Sequence, residues 1–86
     1  MRFDELKKIF EERPFRPVRV FFTRGKPLDV RHPEQVIIMR SMFFYAVSRS
    51  KNGPLERTGY QSLVHIVKVE YLSALRRRKA RNKRTA

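Results

Sequence analysis

The side chains of this chain with the most evident chemistry are its cations. The 86 residues include 21 Lys and Arg against 8 Asp and Glu, a formal net charge of +13. Seven of the cations lie in residues 76–86, RRRKARNKRTA, which contain no acid. A cation that neutralises a phosphate releases condensed counterions, so this cluster favours sequence-independent binding to nucleic acid, whereas the alternative is a merely solubilising terminus. The predicted phosphate contacts here are Arg76, Arg77, Arg78, Lys79, Arg81, Lys83 and Arg84.

A second group of cations belongs to residues 16–31, where an alternating pattern predicts a hairpin. Such a surface could follow a phosphate backbone, with Phe21 exposed as a platform on which a base stacks. The alternative is a solvated outer face whose charges protect an edge strand from pairing with other chains. Phe43 and Tyr45 could stack on bases in the same way, although aromatic residues inside an apolar run usually belong to a core. The cations of this hairpin are Arg16, Arg19, Arg24, Lys26 and Arg31.

The two histidines, His32 and His65, lie far apart in the sequence, and the chain has no cysteine. A transition-metal site needs three or four such ligands, so no metal and no other cofactor is predicted. His65 is a candidate for donating to a phosphate or a base, and the alternative is a polar group satisfied at a strand end. His32, which precedes Pro33, is typical of a turn.

Catalytic patterns are missing from this sequence. The few acids include Asp4, Glu5, Glu11 and Glu12, which a helix would place at its end or on its outward side, without partners at catalytic spacing. There is no glycine pattern that cradles phosphate, and we expect no enzyme and no small-molecule substrate. No apolar run approaches the roughly 20 residues of a membrane-spanning helix. With no cysteine either, a cytoplasmic protein that does not associate with membranes is expected.

The elements that must position these side chains follow from periodicity. Leu6, Ile9 and Phe10 recur at helical spacing after a possible N-cap at Asp4, and Pro14 stops the pattern. Alternation and β-branched or aromatic runs then predict strands, with a turn at residues 62–65 and a longer loop at 49–55. The predicted strands cover residues 16–23, 28–31, 35–40, 42–48, 56–61 and 66–71.

These elements predict a mainly β fold: an N-terminal helix followed by five or six strands. One domain would cover residues 1–72, and residues 73–86 would form a flexible basic tail, either disordered or a frayed helix over 74–81. In the hairpin of residues 35–48, Val36, Ile38, Phe44 and Ala46 are predicted to share one face. Apolar residues on both faces indicate that the helix or another subunit covers one of them.

The order of elements over residues 4–71 resembles the Sm-like fold, which includes the LSm proteins and the RNA chaperone Hfq. The segment VRVFFTRGKPLDV, with its turn at Gly25, is similar to that family's first motif. EQVIIM lies where the family has an acid-containing bend and an apolar third strand, and LVHIVKV resembles its turn into the fifth strand. The chain is also similar to short uncharacterised bacterial proteins that begin with a helix and P-F-x-P, here residues 14–17. The resemblance implies that the strands form a five- or six-stranded antiparallel small barrel, or a rolled sheet, of Sm-like type. It also places Gln35 near a base-contacting position.

The expected function is therefore non-catalytic binding of nucleic acid through phosphate contacts, without sequence preference. RNA is favoured over DNA only because of the resemblance. The alternative is a protein-interaction or homo-oligomeric assembly module in which residues 35–48 form the interface and the tail is accessory. A small core makes self-association a reasonable expectation in either case.

Overall fold

The computed structural model describes residues 1–48 and 57–85, with side chains described through Arg78. The fold is mainly β, as predicted, with a helix before the first strand and another after the last. The loop predicted at residues 49–55 lies outside the described residues. The elements are α1 (Phe3–Glu11), β1 (Val18–Phe22), β2 (Leu28–Val30), β3 (Val36–Ile38), β4 (Met42–Val47), β5 (Arg57–Ser62), β6 (Ile66–Tyr71) and α2 (Leu72–Thr85), with 3₁₀ helices at Pro33–Gln35 and Leu63–His65.

Helix α1 is held by its buried face. Leu6 and Phe10 are 0% and 5% exposed, and the Phe10 ring contacts Phe43 with ring centroids 6.1 Å apart. A helix of nine residues is marginal alone in water, and each buried side chain contributes roughly 2–3 kcal/mol. The predicted N-cap at Asp4 is wrong: α1 begins at Phe3, so Asp4 lies in its first turn, where a carboxylate still favours the positive end of the helix dipole.

The first sheet has the order β2-β1-β6, and all its pairs are antiparallel. Val18, Val20 and Val30 are fully buried on one face, which is the alternation expected from the sequence. The turn between β1 and β2 contains Gly25 with a φ of 89°, a left-handed conformation that side chains disfavour. The hairpin predicted from alternation and turn residues is therefore confirmed.

The second sheet has the order β3-β4-β5. Its register pairs Val36 with Tyr45 and Ile37 with Phe44 across the turn at residues 40–41. Val36 and Phe44 consequently lie on opposite faces, so the face predicted from the sequence for this hairpin is wrong. The residues turned toward the core are Val36, Ile38, Phe43, Tyr45 and Val47.

The two sheets enclose one core but are not joined into a closed barrel in the part of the chain that the structure describes. The barrel predicted from the sequence is therefore corrected to two small sheets. The break falls after β2, where Pro33 has no amide hydrogen to donate. The Gln35 Oε1 accepts the amides of Arg31 and His32 at 3.3 and 3.2 Å, so these donors bond to a side chain instead of another strand.

Helix α2 continues directly from β6. It begins at Leu72, earlier than the helix considered from residue 74, and its backbone is helical through Thr85. The buried Leu72 donates its amide to the Pro17 carbonyl at 3.0 Å, which ties the start of α2 to the start of β1. Farther along, the Arg78 guanidinium forms an ion pair with Glu70 of β6.

Candidate nucleic-acid interface

Cations from four parts of the chain border three cavities that share Arg31. The first cavity, about 540 Å³, is bordered by Lys26, Arg31 and Arg57. The second, about 170 Å³, lies between Arg31 and Arg76, and the third, about 300 Å³, adds Arg16 to these two. Arg31 therefore links the hairpin to the start of α2. We call these five residues, Arg16, Lys26, Arg31, Arg57 and Arg76, the basic track.

The fold explains why these five residues meet. Arg31 directly follows β2, and Arg76 lies in the second turn of α2, whose first residue bonds to Pro17. Arg57 begins β5 and donates to the Pro27 and Lys26 carbonyls at 2.7 and 2.8 Å. Its guanidinium is therefore held in place beside the first cavity by the turn of the β1–β2 hairpin.

Three cations of the basic track have exposed side chains without a described ion pair or hydrogen bond. Lys26, Arg31 and Arg76 have no side-chain ion pair or hydrogen bond within residues 1–48 and 57–85. Arg16 is exposed as well, but its guanidinium lies 3.6 Å from the centroid of the Tyr71 ring. A cation without an acidic partner keeps its full attraction for a phosphate.

Arg19, predicted as a phosphate contact, forms an ion pair with Asp29. Its Nε and a second guanidinium nitrogen donate to the two carboxylate oxygens at 2.7 and 3.1 Å. This hydrogen bonding raises the pKa of Arg19, although partial burial opposes the shift. A guanidinium that already binds a carboxylate in two places has little left to offer a phosphate.

Arg24 and His65, also predicted contacts, lie together but away from the basic track. They border a separate cavity of about 400 Å³ with Thr23 and Gln61. The Thr23 amide donates to the His65 carbonyl at 2.7 Å, and its hydroxyl does so at 3.2 Å. The His65 side chain is exposed. The structure thus brings together two residues that are far apart in the sequence.

The cations of α2 divide into three groups. Arg76 and Arg77 are exposed, and Arg78 is paired with Glu70. Partial burial raises the pKa of Glu70, but hydrogen bonds from Arg78 and Lys68 outweigh it and hold that pKa below its ordinary value. Of the remaining predicted contacts, only the helical backbone is described; these are Lys79, Arg81, Lys83 and Arg84.

The aromatic residues considered as base platforms are largely covered. Phe43 is fully buried, which excludes it, and Tyr45 is half-buried against Phe22. Phe21 is half-buried, and the Lys68 ammonium lies 4.8 Å from the centroid of its ring. Gln35, near a base-contacting position of the Sm-like pattern, uses its carbonyl oxygen within its own turn.

The sequence predicts an excess apolar face within residues 35–48, but it does not pair Phe44 with Ile37 and does not include Tyr60. Ile37, Phe44 and Tyr60 form one cross-strand row and are 64%, 37% and 66% exposed. The sequence does not point to Arg57 of the basic track either, because no local pattern relates this residue to the turn of the β1–β2 hairpin. The strand predicted at residues 56–61 includes Tyr60, but the sequence of this strand does not determine which of its faces is buried.

Comparison with known proteins returns no relative: no protein-family model, no curated protein and no solved structure matches this chain.

Within residues 1–48 and 57–85, no helix is both long and apolar enough to pass through a membrane. The same residues contain no group of three or more His, Asp or Glu side chains arranged to hold a metal ion.

Proposed function

We propose that this protein binds nucleic acid without sequence preference, through phosphate contacts along the basic track and α2, and that it is not an enzyme. The observation that carries the proposal is the position of Arg31, which borders cavities with Lys26 and Arg57 on one side and with Arg76 on the other. The cations of the body and the start of the C-terminal helix therefore form one surface. A backbone that crosses this surface can continue onto a helix whose sequence carries seven cations.

Charge and composition support a polyanion as the partner. The net charge of +13 raises the local concentration of nucleic acid and speeds encounter. Asp29 is the one acid that borders the basic track among the residues that the structure describes. It is bound to Arg19, so it repels a phosphate less than a free carboxylate would. Affinity from such contacts falls steeply as salt rises.

The family resemblance belongs to the same proposal. An Sm-like relationship favours RNA over DNA and is supported by the order of one short helix followed by antiparallel strands that enclose a single core. The interruption at Pro33–Gln35 divides what would be one bent strand into β2 and β3. We place the protein in the cytoplasm, in keeping with the lack of cysteine.

The test is a titration of labelled oligonucleotides, single- and double-stranded, at two salt concentrations. It compares the full chain with a chain that ends at Leu75. The shorter chain should bind at least about tenfold more weakly and show a flatter dependence of affinity on salt, because fewer counterions are released. If the full chain ignores every polynucleotide at low salt, the proposal is wrong. If the two chains bind alike, the assignment of phosphate contacts to α2 fails.

A second candidate is an assembly module, in which copies of the chain or another protein cover the second sheet. The observation that favours it is the exposed apolar row of Ile37, Phe44 and Tyr60, because such patches often mark interfaces. Sedimentation at high protein concentration tests it: a monomer there would exclude self-association.

A further inference from the structure

The outer face of the second sheet presents an uncharged surface on a highly charged protein. Phe44 pairs with Ile37 on one side and with Tyr60 on the other, so the three side chains form a row across the sheet. Side chains two positions away along each strand lie on the same face. We define the outer face by its members, Ile37, Met42, Phe44, Ala46, Thr58, Tyr60 and Ser62.

Two of these residues form an aromatic pair open to solvent. The ring centroids of Phe44 and Tyr60 are 5.9 Å apart, and the ring planes are inclined by 36°. Aromatic rings on a sheet surface are the usual platform for unpaired bases, which offer a flat apolar surface of similar size. The bases of a duplex are already stacked on each other and cannot reach such a platform.

Cations border one end of the outer face. Arg40 lies in the turn between β3 and β4, next to Met39. It borders a cavity of about 650 Å³ whose charged side chains are Arg40, Arg2 and Asp4, so the two guanidinium groups outnumber the carboxylate. Neither guanidinium has an ion pair or a hydrogen bond in the part of the chain that the structure describes. This arrangement, an apolar platform beside free guanidinium groups, matches the bases and phosphates of one strand.

We propose that the outer face binds bases of single-stranded nucleic acid, which stack on Phe44 and Tyr60 while Arg40 contacts a neighbouring phosphate. This inference rests on the proposed function and adds a second surface with a different selectivity. A polyanion suits this surface better than a second copy does, because each copy carries a charge of +13 and brings its own Arg40 and Arg2 toward the interface.

The experiment compares single- and double-stranded oligonucleotides of the same sequence and length, using the full chain and variants of Tyr60. Tyr60 is 66% exposed, so its replacement leaves the core intact. Tyr60→Ala should weaken single-strand binding about 5- to 150-fold, the effect of losing one base stack. Tyr60→Leu, which keeps an apolar side chain but loses the ring, should weaken it similarly. Binding to the duplex should change less than about twofold, because it depends on phosphate contacts alone.

Tyrosine emission gives a second readout on the same molecules. The chain has three tyrosines and no tryptophan, so its intrinsic fluorescence comes from tyrosine. Single strands should quench part of this emission in the natural chain. Tyr60→Phe should retain the affinity, because the ring remains, but lose that part of the quenching.

The outcomes separate this inference from the function on which it rests. If Tyr60→Ala and Tyr60→Leu bind single strands as the natural chain does, the platform is wrong while phosphate binding stands. If the natural chain is a dimer that Tyr60→Ala dissociates without a change in single-strand affinity, a second copy occupies the face and the inference is overturned. If the natural chain binds neither form at low salt, the proposed function itself has failed.

Discussion

Arg31 and Arg76 border the same two cavities, although one follows β2 and the other lies in α2. The amide of Leu72, bonded to the Pro17 carbonyl, sets the position from which α2 leaves the sheet. The basic segment at the end of the sequence therefore begins beside the cations of the hairpin. A single surface for a phosphate backbone follows from this one junction.

Replacing either residue of this junction should remove one phosphate contact. For Arg31→Ala or Arg76→Ala, we expect the slope of log affinity against log salt to fall in magnitude by about 0.7–0.9, uniformly across sequences. Lys8→Ala is the matched control, because Lys8 is an exposed cation of α1 that borders none of the three cavities. An equal change in the Lys8 variant would show that only overall charge matters. Oligonucleotide titrations over a salt series measure both.

Asp29→Asn should strengthen binding. The change removes the carboxylate that borders the basic track and releases the guanidinium of Arg19. We expect higher affinity and a steeper salt dependence, by roughly one further phosphate contact. The pair is about one-third exposed, so the loss in free energy of unfolding should not exceed about 1 kcal/mol. Weaker binding by a folded Asp29→Asn protein would contradict the assignment of Arg19 as neutralised.

Gly59→Ala should destabilise the second sheet. A Cβ at Gly59 would lie 2.6 Å from the Tyr45 hydroxyl oxygen and 2.9 Å from the ring carbon that bears it. The Tyr45 ring packs against Phe22 and Phe43, so it cannot move without disturbing the core. We expect a loss of about 1–3 kcal/mol in the free energy of unfolding, measured by urea denaturation. The same change in a Tyr45→Leu background should have a smaller effect, and an equal effect would exclude this clash as the cause.

The hydroxyl of Tyr71 should ionise at a higher pH than an ordinary tyrosine. Its hydrogen bond to the Glu12 carboxylate raises the pKa of Tyr71, and burial and the charge of Glu12 add to the shift, while Arg16 opposes it. Because the folded-state pKa is the higher one, the stabilisation is complete below the unfolded value of about 10 and is lost as the pH rises through the folded value. When absorbance is followed as the pH is raised, one tyrosine should ionise in a separate phase at high pH. Tyr71→Phe should remove this high-pH phase.

Glu12→Gln provides the control for that titration. It should move the high-pH ionisation of Tyr71 to lower pH without removing it, because the phenol remains but loses its charged partner. A high-pH phase unchanged by Glu12→Gln would mean that the contact between Glu12, which directly follows α1, and Tyr71 of β6 does not set the pKa of Tyr71.

Much of the fold could be predicted because the local periodicity of apolar residues indicates where helices and strands form. The strand at 66–71 was predicted with the observed limits, and the β1–β2 hairpin follows from alternation and Gly25. The turn at Pro33 was also visible. That this turn separates the two sheets could not be predicted, because the separation depends on the Gln35 side chain accepting hydrogen bonds from two backbone amides. Such a contact is made by a particular rotamer in a particular turn, and periodicity does not encode it.

The sequence alone determined the charge of this protein, the uneven distribution of its cations and the order of its strands, since these depend on composition and on neighbours along the chain. Only the tertiary structure decided which cations keep their charge available, as Arg31 does and Arg19 does not. It also decided that Phe43 is core while Phe44 is surface, because the strand register chooses between faces that alternation leaves equivalent. Pairing and burial are relations between distant residues, and they exist only once the chain has folded.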